Sequence, residues 1–461
     1  MPLSFQPAAM DRRARVAAIA LFVLVAAYCV FVEIRVAGSK KRRIDLDVNL
    51  HAAWAVRAGE NPYTITNERG WHYNLPPLLA ILLVPVAEQP PGAEQTGNAP
   101  LLLTLAIWNV VGLVALGASV HALASAAVPR FAAGTARWWA PRLIPIAACV
   151  PAIGITLNRG QVNLFLTALL IFSIAAALRG RKFIAGGWLA AAVCLKIIPA
   201  YLILHPLWMR DRRWLAGTVL GLIIGLGLIP ALVFSPQRAG ELYLDLARSV
   251  MLPGLNLGAD GTRSEELIDL YASNSQSFQV LFHHLLYSKS AEIPGWLRLA
   301  HWLAGGSMTL LTLLTGRTKP STPTRSIIRF GALAVLMVAI SPASHDHYFC
   351  VNALLILGLV AARLEGNSPF ANWSLAVVLT VYFAACALPM IPDLRVLRDL
   401  RSPLIGSLVL WLAGIATLRG GKRSLQFETS PDVPHGDGSV RTPGFGNPLQ
   451  FGGLRKLRQP E

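Results

Sequence analysis

What most limits the fold of this chain is a succession of continuous apolar runs, each about 15–25 residues long, close to the roughly 20 residues a helix needs to cross a bilayer. The runs do not alternate apolar with polar, which argues against a membrane β-barrel. Between them the chain has little to offer water: 54% of its 461 residues are hydrophobic and 14% charged, against about 25% charged in ordinary soluble domains. The sequence therefore predicts an all-α polytopic membrane protein. Candidate crossings fall near 14–34, 100–124, 143–157, 163–178, 214–235, 296–315, 326–341, 346–363, 372–389 and 402–418, ten in all.

Charge orients these runs. The net charge is +17, which suggests nucleic acid until the basic residues are located. They sit in short clusters at the ends of apolar runs, the pattern of cytoplasmic loops. Arg12/Arg13/Arg15, Arg130/Arg137/Arg142, Arg179/Arg181/Lys182, Arg210/Arg212/Arg213, Arg317/Lys319/Arg325 and Arg419/Lys422/Arg423 all fall on one face if ten crossings place both termini in the cytoplasm. No nucleic-acid partner is expected. The apolar run from Val16 to Val32 exceeds a signal-peptide core and lacks a small-residue cleavage site, so it reads as a retained span. Cys29, Cys149, Cys194, Cys350 and Cys386 lie in or beside apolar segments without CxxC spacing, as small buried hydrophobes do. Residues 1–424 form the membrane domain. Residues 425–461, rich in Gly, Pro and polar side chains, read as a disordered cytoplasmic tail.

One stretch breaks the count. Basic clusters at 179–182 and 210–213 flank a single apolar segment, and one span cannot have both ends inside. Pro199 disfavours a continuous helix there. A hairpin broken at Lys196-Ile-Ile-Pro199 resolves the conflict and carries Lys196 deep into the membrane; a Pro-kinked single helix is the alternative. Residues 75–87 are too short to cross and are expected to re-enter or lie at the interface. The outer-facing segments are then 35–99, 158–162, 236–295, 342–345 and 390–401. Lys40, Lys41, Arg42 and Arg43 fall outside, against the rule: either the other basic groups override it, or these residues meet an anionic partner.

On this topology the unusual polar residues gather on the outer side. Asp45 and Asp47 open the first outer loop, followed by Asn61, Tyr63 and Tyr73. Arg159, Gln161 and Asn163 occupy a tight Gly turn between apolar runs. Lys196 marks the hairpin break, Asn274 and Ser277 belong to the large outer loop, and His345 and His347 join two later runs. Ionisable groups at membrane depth are expensive and usually face a cavity or pathway. A carboxylate such as Asp45 can take a proton from an attacking hydroxyl; it can equally cap its helix. Asp47 is a weaker copy of the same case. Arg159 offers a planar fork and Lys196 a point charge, both suited to phosphate; their plain alternatives are loop solvation and snorkelling. His345-Asp-His347 contains metal-ligand residue types, but hydrogen bonding to substrate hydroxyls or loop structure is the stronger reading. Neither metal nor cofactor is expected.

Several of these motifs resemble glycosyltransferase family 87. They are Asp45-x-x-Val-x-x-x-Ala-Ala53, Gly59-x-Asn-Pro-Tyr63, Tyr73-x-x-Pro-Pro77, Gly160-Gln-Val-Asn163, Ala185-Gly-x-x-x-Ala190-x-x-x-x-x-Lys196-x-x-Pro199, Asn274-Ser-Gln-Ser277 and Ser341-Pro-x-Ser-x-x-His347-Tyr348, in that order along the chain. The family comprises GT-C-type membrane enzymes that use polyprenyl-phosphate sugars, mannosyltransferases among them. The resemblance implies a GT-C fold, an inverting transfer with Asp45 as base, a polyprenyl-phosphate-sugar donor and a lipid or glycan acceptor. Asn49 and Leu50 stand where members often carry aromatics, and Asp47 is an extra acid. Residence in the cell membrane is expected, with the active site on the outer face that the charge pattern assigns. The rival is a transporter or lipid-linked sugar flippase, since broken helices and intramembrane charge mark those too; no second copy of the Lys196–Pro199 break exists to form matching halves. A non-catalytic assembly subunit would leave the outer carboxylates without a role.

Overall fold

The computed structural model of the protein describes residues 12–37, 45–67, 69–90, 101–255, 257, 263, 266–287, 293–317 and 322–420. The Lys40–Arg43 cluster and the tail at 425–461 lie outside the described residues. Among those described there is no strand, only two isolated antiparallel bridges, Thr66–His72 and Ser275–His345.

The first half of the fold contains α1 (Arg12–Ala37), α2 (Asp45–Ala58), α3 (Pro77–Leu83), α4 (Leu101–Ala127), α5 (Ala136–Ala148), α6 (Val150–Arg159), α7 (Asn163–Leu178), α8 (Lys182–Leu195), α9 (Leu204–Trp208), α10 (Arg212–Leu222), α11 (Ile229–Phe234) and α12 (Pro236–Leu246). Helices at Phe278–Leu286, Gly295–Leu314, Pro323–Ile340, Ala353–Leu364, Asn372–Ala387 and Ser402–Arg419 follow. A helix occupies each of the ten ranges read from the sequence. Among the described residues six helical stretches are long and apolar enough to cross a membrane, and α5 with α6 makes a seventh if counted as one bent span. The straight crossing read at 143–157 is corrected here: the chain is helical from Ala136 and bends by 55° at Cys149. Pro141, Pro145 and Pro151 explain the bend, because each removes a backbone donor from the helical ladder.

At the centre, the helix Pro323–Ile340 is buried at every residue from Ile327 onward, and its neighbour is buried from Ala353 to Ala362. The peripheral helices do the reverse of a soluble protein. Leu24, Val114, Leu232, Trp373 and Leu412 lie exposed along them, as side chains facing hydrocarbon would.

The segment after α7 is a hairpin. Lys182 Nζ lies 2.6 Å from Asp211 Oδ2, so the segment begins and ends in one place. Helix α8 rises for 14 residues, roughly 21 Å at 1.5 Å per residue. It stops at Lys196, whose backbone is extended (φ −157°, ψ 130°), and the chain returns through a 3-10 helix, Ile198–Ile203, and α9. Helix α10 then runs beside α8, so close that a Cβ on Gly186 would meet the Trp214 carbonyl oxygen at 2.2 Å. The Pro-kinked single helix considered from sequence is not what forms. Residues 75–87 form α3 and a 3-10 turn at Val84–Val86, packed with Val48, Ala52 and Val56 of α2 in one apolar cluster.

Candidate functional site

The site begins at the α6–α7 turn. Helix α6 ends at Arg159, Gly160 takes the left-handed conformation (φ 62°), and Gln161 N donates to Thr156 O at 3.0 Å, closing the helix. A Cβ at Gly160 would stand 2.7 Å from Leu46 Cβ. Glycine therefore serves twice, supplying the backbone angle and admitting the first turn of α2. That turn carries Asp45 and Asp47, where carboxylates are favoured by the helix dipole. Gln161 Nε2 donates to Asp45 Oδ2, and Arg159 Nη1 lies 3.5 Å from the same oxygen. The Arg159 and Asp45 side chains keep 24% and 15% of their surface exposed, so the pair is reachable.

Lys196, at the hairpin tip, enters from the other side. Its ammonium lies 3.5 Å from Asn163 Oδ1 and 3.8 Å from the centre of the Tyr348 ring. Asn163 is two residues beyond Gln161, so a single turn touches both the carboxylate and the buried lysine. The Asp45 charge acts on Lys196, His345 and Tyr348, and the Arg159 charge acts on His345, His347 and Tyr348. These groups share one electrostatic neighbourhood.

The opposite wall is the 341–352 segment. His345, His347 and Tyr348 form an aromatic cluster, with ring centroids 5.5 Å apart for the two histidines and 4.8 Å for His347 and Tyr348. Burial pushes the His345 imidazole down to about 3; His347 and Arg159 act in the same direction, while Asp346 and Asp45 oppose them. His345 is thus neutral near pH 7. Asp346 accepts from the Arg398 guanidinium and lies 3.8 Å from His347 Nδ1. Residues 274–277 brace this wall: Asp346 N donates to Asn274 O at 3.1 Å, and Gln276 N to Ser344 O at 2.7 Å. Ser277 Oγ caps the next helix by accepting from Val280 N at 3.3 Å.

The structure thus brings together Asp45, Arg159, Gln161, Asn163, Lys196, His345 and His347, with Asn274 and Ser277 on the segment that buttresses them. Asn61, Tyr63 and Tyr73 make their hydrogen bonds outside this cluster, and Asp47 meets His51. Asp47 is buried and faces His51 at 3.6 Å within α2. Asn61 donates to Asp245 at 2.7 Å and accepts from Tyr63 N. Tyr63 OH donates to Leu75 O at 3.0 Å, and Tyr73 OH to Pro76 O at 2.7 Å. With His72 bound to Glu266 at 2.9 Å, these contacts hold the first loop in shape.

Sequence reasoning missed Arg398, and read the buried acid it meets, Asp346, only as the middle of a His-Asp-His triplet. A signal existed. Arg395, Arg398 and Arg401 lie in a segment assigned to the outer face, against the charge rule. Two of them are drawn inward, Arg398 to Asp346 and Arg401 to the Ala272 carbonyl at 2.8 Å. Among the described residues no cluster of three or more His, Cys, Asp or Glu is arranged to hold a metal ion. Chemically, the assembly offers a proton acceptor, two cations suited to phosphate, and amide and imidazole groups that can bind hydroxyls.

The family model of glycosyltransferase family 87 matches residues 71–342, more than half of the chain. The chain belongs to glycosyltransferase family 87. As a family 87 member it is a multi-pass membrane glycosyltransferase, which decides against the transporter reading. The matched region contains Tyr73, Arg159, Gln161, Asn163, Lys196, Asn274 and Ser277, whereas Asp45, Asp47, Asn61, Tyr63, His345 and His347 lie outside it. No curated protein matches the chain. Among solved structures, this family 87 chain is similar to ArnT from Cupriavidus metallidurans bound to undecaprenyl phosphate, at 15% identity and a TM-score of 0.35, over 87% of this chain and 76% of that one.

Proposed function

We propose that this glycosyltransferase moves a sugar from a polyprenyl-phosphate donor to a hydroxyl of a lipid or glycan acceptor, with inversion at the anomeric carbon. Asp45 takes the acceptor proton as the hydroxyl oxygen bonds to the anomeric carbon. The bond from that carbon to the phosphate oxygen breaks, and polyprenyl phosphate leaves with the electron pair. Arg159 has five donors, enough to hold Asp45 and a phosphate oxygen together. Lys196 meets the departing charge from the hairpin tip, where low polarity strengthens its pull. Gln161, Asn274 and His347 bind sugar hydroxyls, and neutral His345 can donate or accept without adding charge. Asp47 and Tyr63 support the first loop through His51 and the Leu75 carbonyl. The site opens on the outer face of the cell membrane, with both termini in the cytoplasm. Mannose, the family's best-known case, is one candidate sugar. Lys40–Arg43 attract the anionic donor to the interface.

One observation carries this reading: the 159–163 turn touches both the Asp45 carboxylate and, through Asn163, the Lys196 ammonium. The test is sugar transfer by purified protein supplied with a polyprenyl-phosphate sugar. Loss of general-base assistance costs about 10²–10⁴-fold, so Asp45→Asn should fall by at least about a hundredfold with little change in thermal stability. Near-normal turnover by that variant would remove Asp45 from the mechanism.

A further inference from the structure

The basic end of the hairpin carries a second feature that the transfer chemistry leaves unused. A cavity of about 180 Å³ lies between the α9–α10 turn and the end of the helix Gly295–Leu314, lined by Leu204, Leu207, Trp208, Arg210, Leu313 and Arg317. One wall is apolar and the other cationic. The Arg317 guanidinium lies 5.3 Å from the centre of the Trp208 ring, a contact that holds the cation at the edge of an apolar surface.

Two more guanidiniums reach the same turns. Arg329 is buried, and its nearest partners are the Thr315 carbonyl at 3.4 Å and the Met209 sulfur at 3.5 Å. Arg325 donates to the carbonyls of Leu418, at 2.6 Å, and Gly316, at 3.4 Å. Among the described residues, none of Arg210, Arg317, Arg325 and Arg329 has a carboxylate within ion-pair distance. The neighbouring acid, Asp211, pairs with Lys182 and caps α10. Four like charges without an acid repel one another, and burial of Arg329 adds to the cost. Arg210 also adopts a left-handed backbone (φ 52°), which disfavours a side chain bearing a Cβ. Such outliers gather where a ligand or partner is met.

We infer that this cleft binds an anionic phospholipid of the leaflet on the basic face. Its phosphate lies between Arg210 and Arg317, and an acyl chain lies along Leu204, Leu207 and Leu313. Charge and polarity together select this ligand. A water-soluble anion has no use for the leucine wall, and a neutral lipid none for the arginines. Leu207 and Met209 are 56% and 40% exposed beside the cavity, so a chain can enter sideways from the bilayer. The bound lipid would join the return arm of the hairpin to the 315–317 turn, at the end remote from Lys196.

The test uses the full-length protein in a neutral detergent and reads thermal unfolding and lipid retention by native mass spectrometry, so its outcome is independent of sugar transfer. Phosphatidylglycerol should raise the unfolding midpoint and be retained about tenfold more tightly than phosphatidylcholine. That is about 1.4 kcal/mol. The Arg210→Gln/Arg317→Gln variant should lose this preference, while Arg238→Gln, an exposed arginine paired with Glu241, should keep it. Should the double variant not fold, Arg317→Gln alone should weaken retention about threefold. Equal retention of the two lipids, or an undiminished preference in the double or the single variant, overturns the proposal. So does inorganic phosphate, at the same concentration, reproducing the full stabilisation.

Discussion

Lys196 and Lys182 stand at the tip and base of one hairpin, and their surroundings differ in kind. At the base, Lys182 is 47% exposed and meets the Asp211 carboxylate at 2.6 Å. Its charge is answered, and its work is to close the loop. At the tip, Lys196 is 8% exposed and rests on a ring face and an amide oxygen. Neither partner neutralises it, and the nearest acid charge, Asp45, is already shared with Gln161 and Arg159. A cation kept short of a full partner in a buried place is available to an incoming anion. The same residue type is structural where water and a carboxylate satisfy it, and free for function where they do not.

Exchanging the two ends tests this most sharply. Lys196→Met should reduce sugar transfer by on the order of 10²–10³-fold, the scale for removing one preorganised stabilising group, without lowering the unfolding midpoint. Lys182→Met should leave transfer within about twofold and cost at most about 1 kcal/mol, as exposed ion pairs do. Equal loss of transfer in both would erase the distinction. The Arg398–Asp346 pair extends it to a buried acid that is answered. Arg398→Ala strands Asp346, 4% exposed, and should cost about 1–3 kcal/mol in chemical denaturation, with part recovered on adding Asp346→Asn. The two acids of α2 offer the same contrast in miniature. Asp47→Asn disturbs the contact with His51 and should lower transfer by less than about tenfold; a loss as large as that of Asp45→Asn would transfer the base role to Asp47.

The smallest effect is in pH. His345 has a folded value of about 3 against about 6.5 when unfolded. Its neutral form therefore stabilises the fold fully above the unfolded value, and that contribution is lost as pH falls from about 6.5 toward the folded value. Between pH 7.5 and 5.5 it should cost about 1 kcal/mol. Unfolding midpoints across that range should fall in the parent protein and fall less in His345→Gln; identical slopes would deny His345 this part.

The helices were legible because hydrocarbon imposes a length and a composition on any segment that crosses it, and α5–α6 escaped only because three prolines bend what hydropathy reads as continuous. The hairpin was legible as a charge conflict, two basic clusters around one apolar run. Tyr63 and Tyr73 read as candidate site residues in an outer loop, yet both hydroxyls end on backbone carbonyls. Nothing local reveals that, since Leu75 and Pro76 carry no mark in sequence as acceptors. Arg398 stood out against the charge rule, but its partner did not, being 52 residues away.

From the amino acids alone came the membrane-spanning helical class, the break at Lys196, the glycine turn at 159–163 and the resemblance to family 87. All of these depend on runs, spacings and neighbouring residues, which a linear chain displays. Which carboxylate meets Arg159, which lysine stays unanswered, and which arginines collect without an acid were decided only by tertiary packing. Those outcomes turn on a few ångströms between residues far apart in the chain, and electrostatic interactions in a low-polarity interior change most steeply over that range.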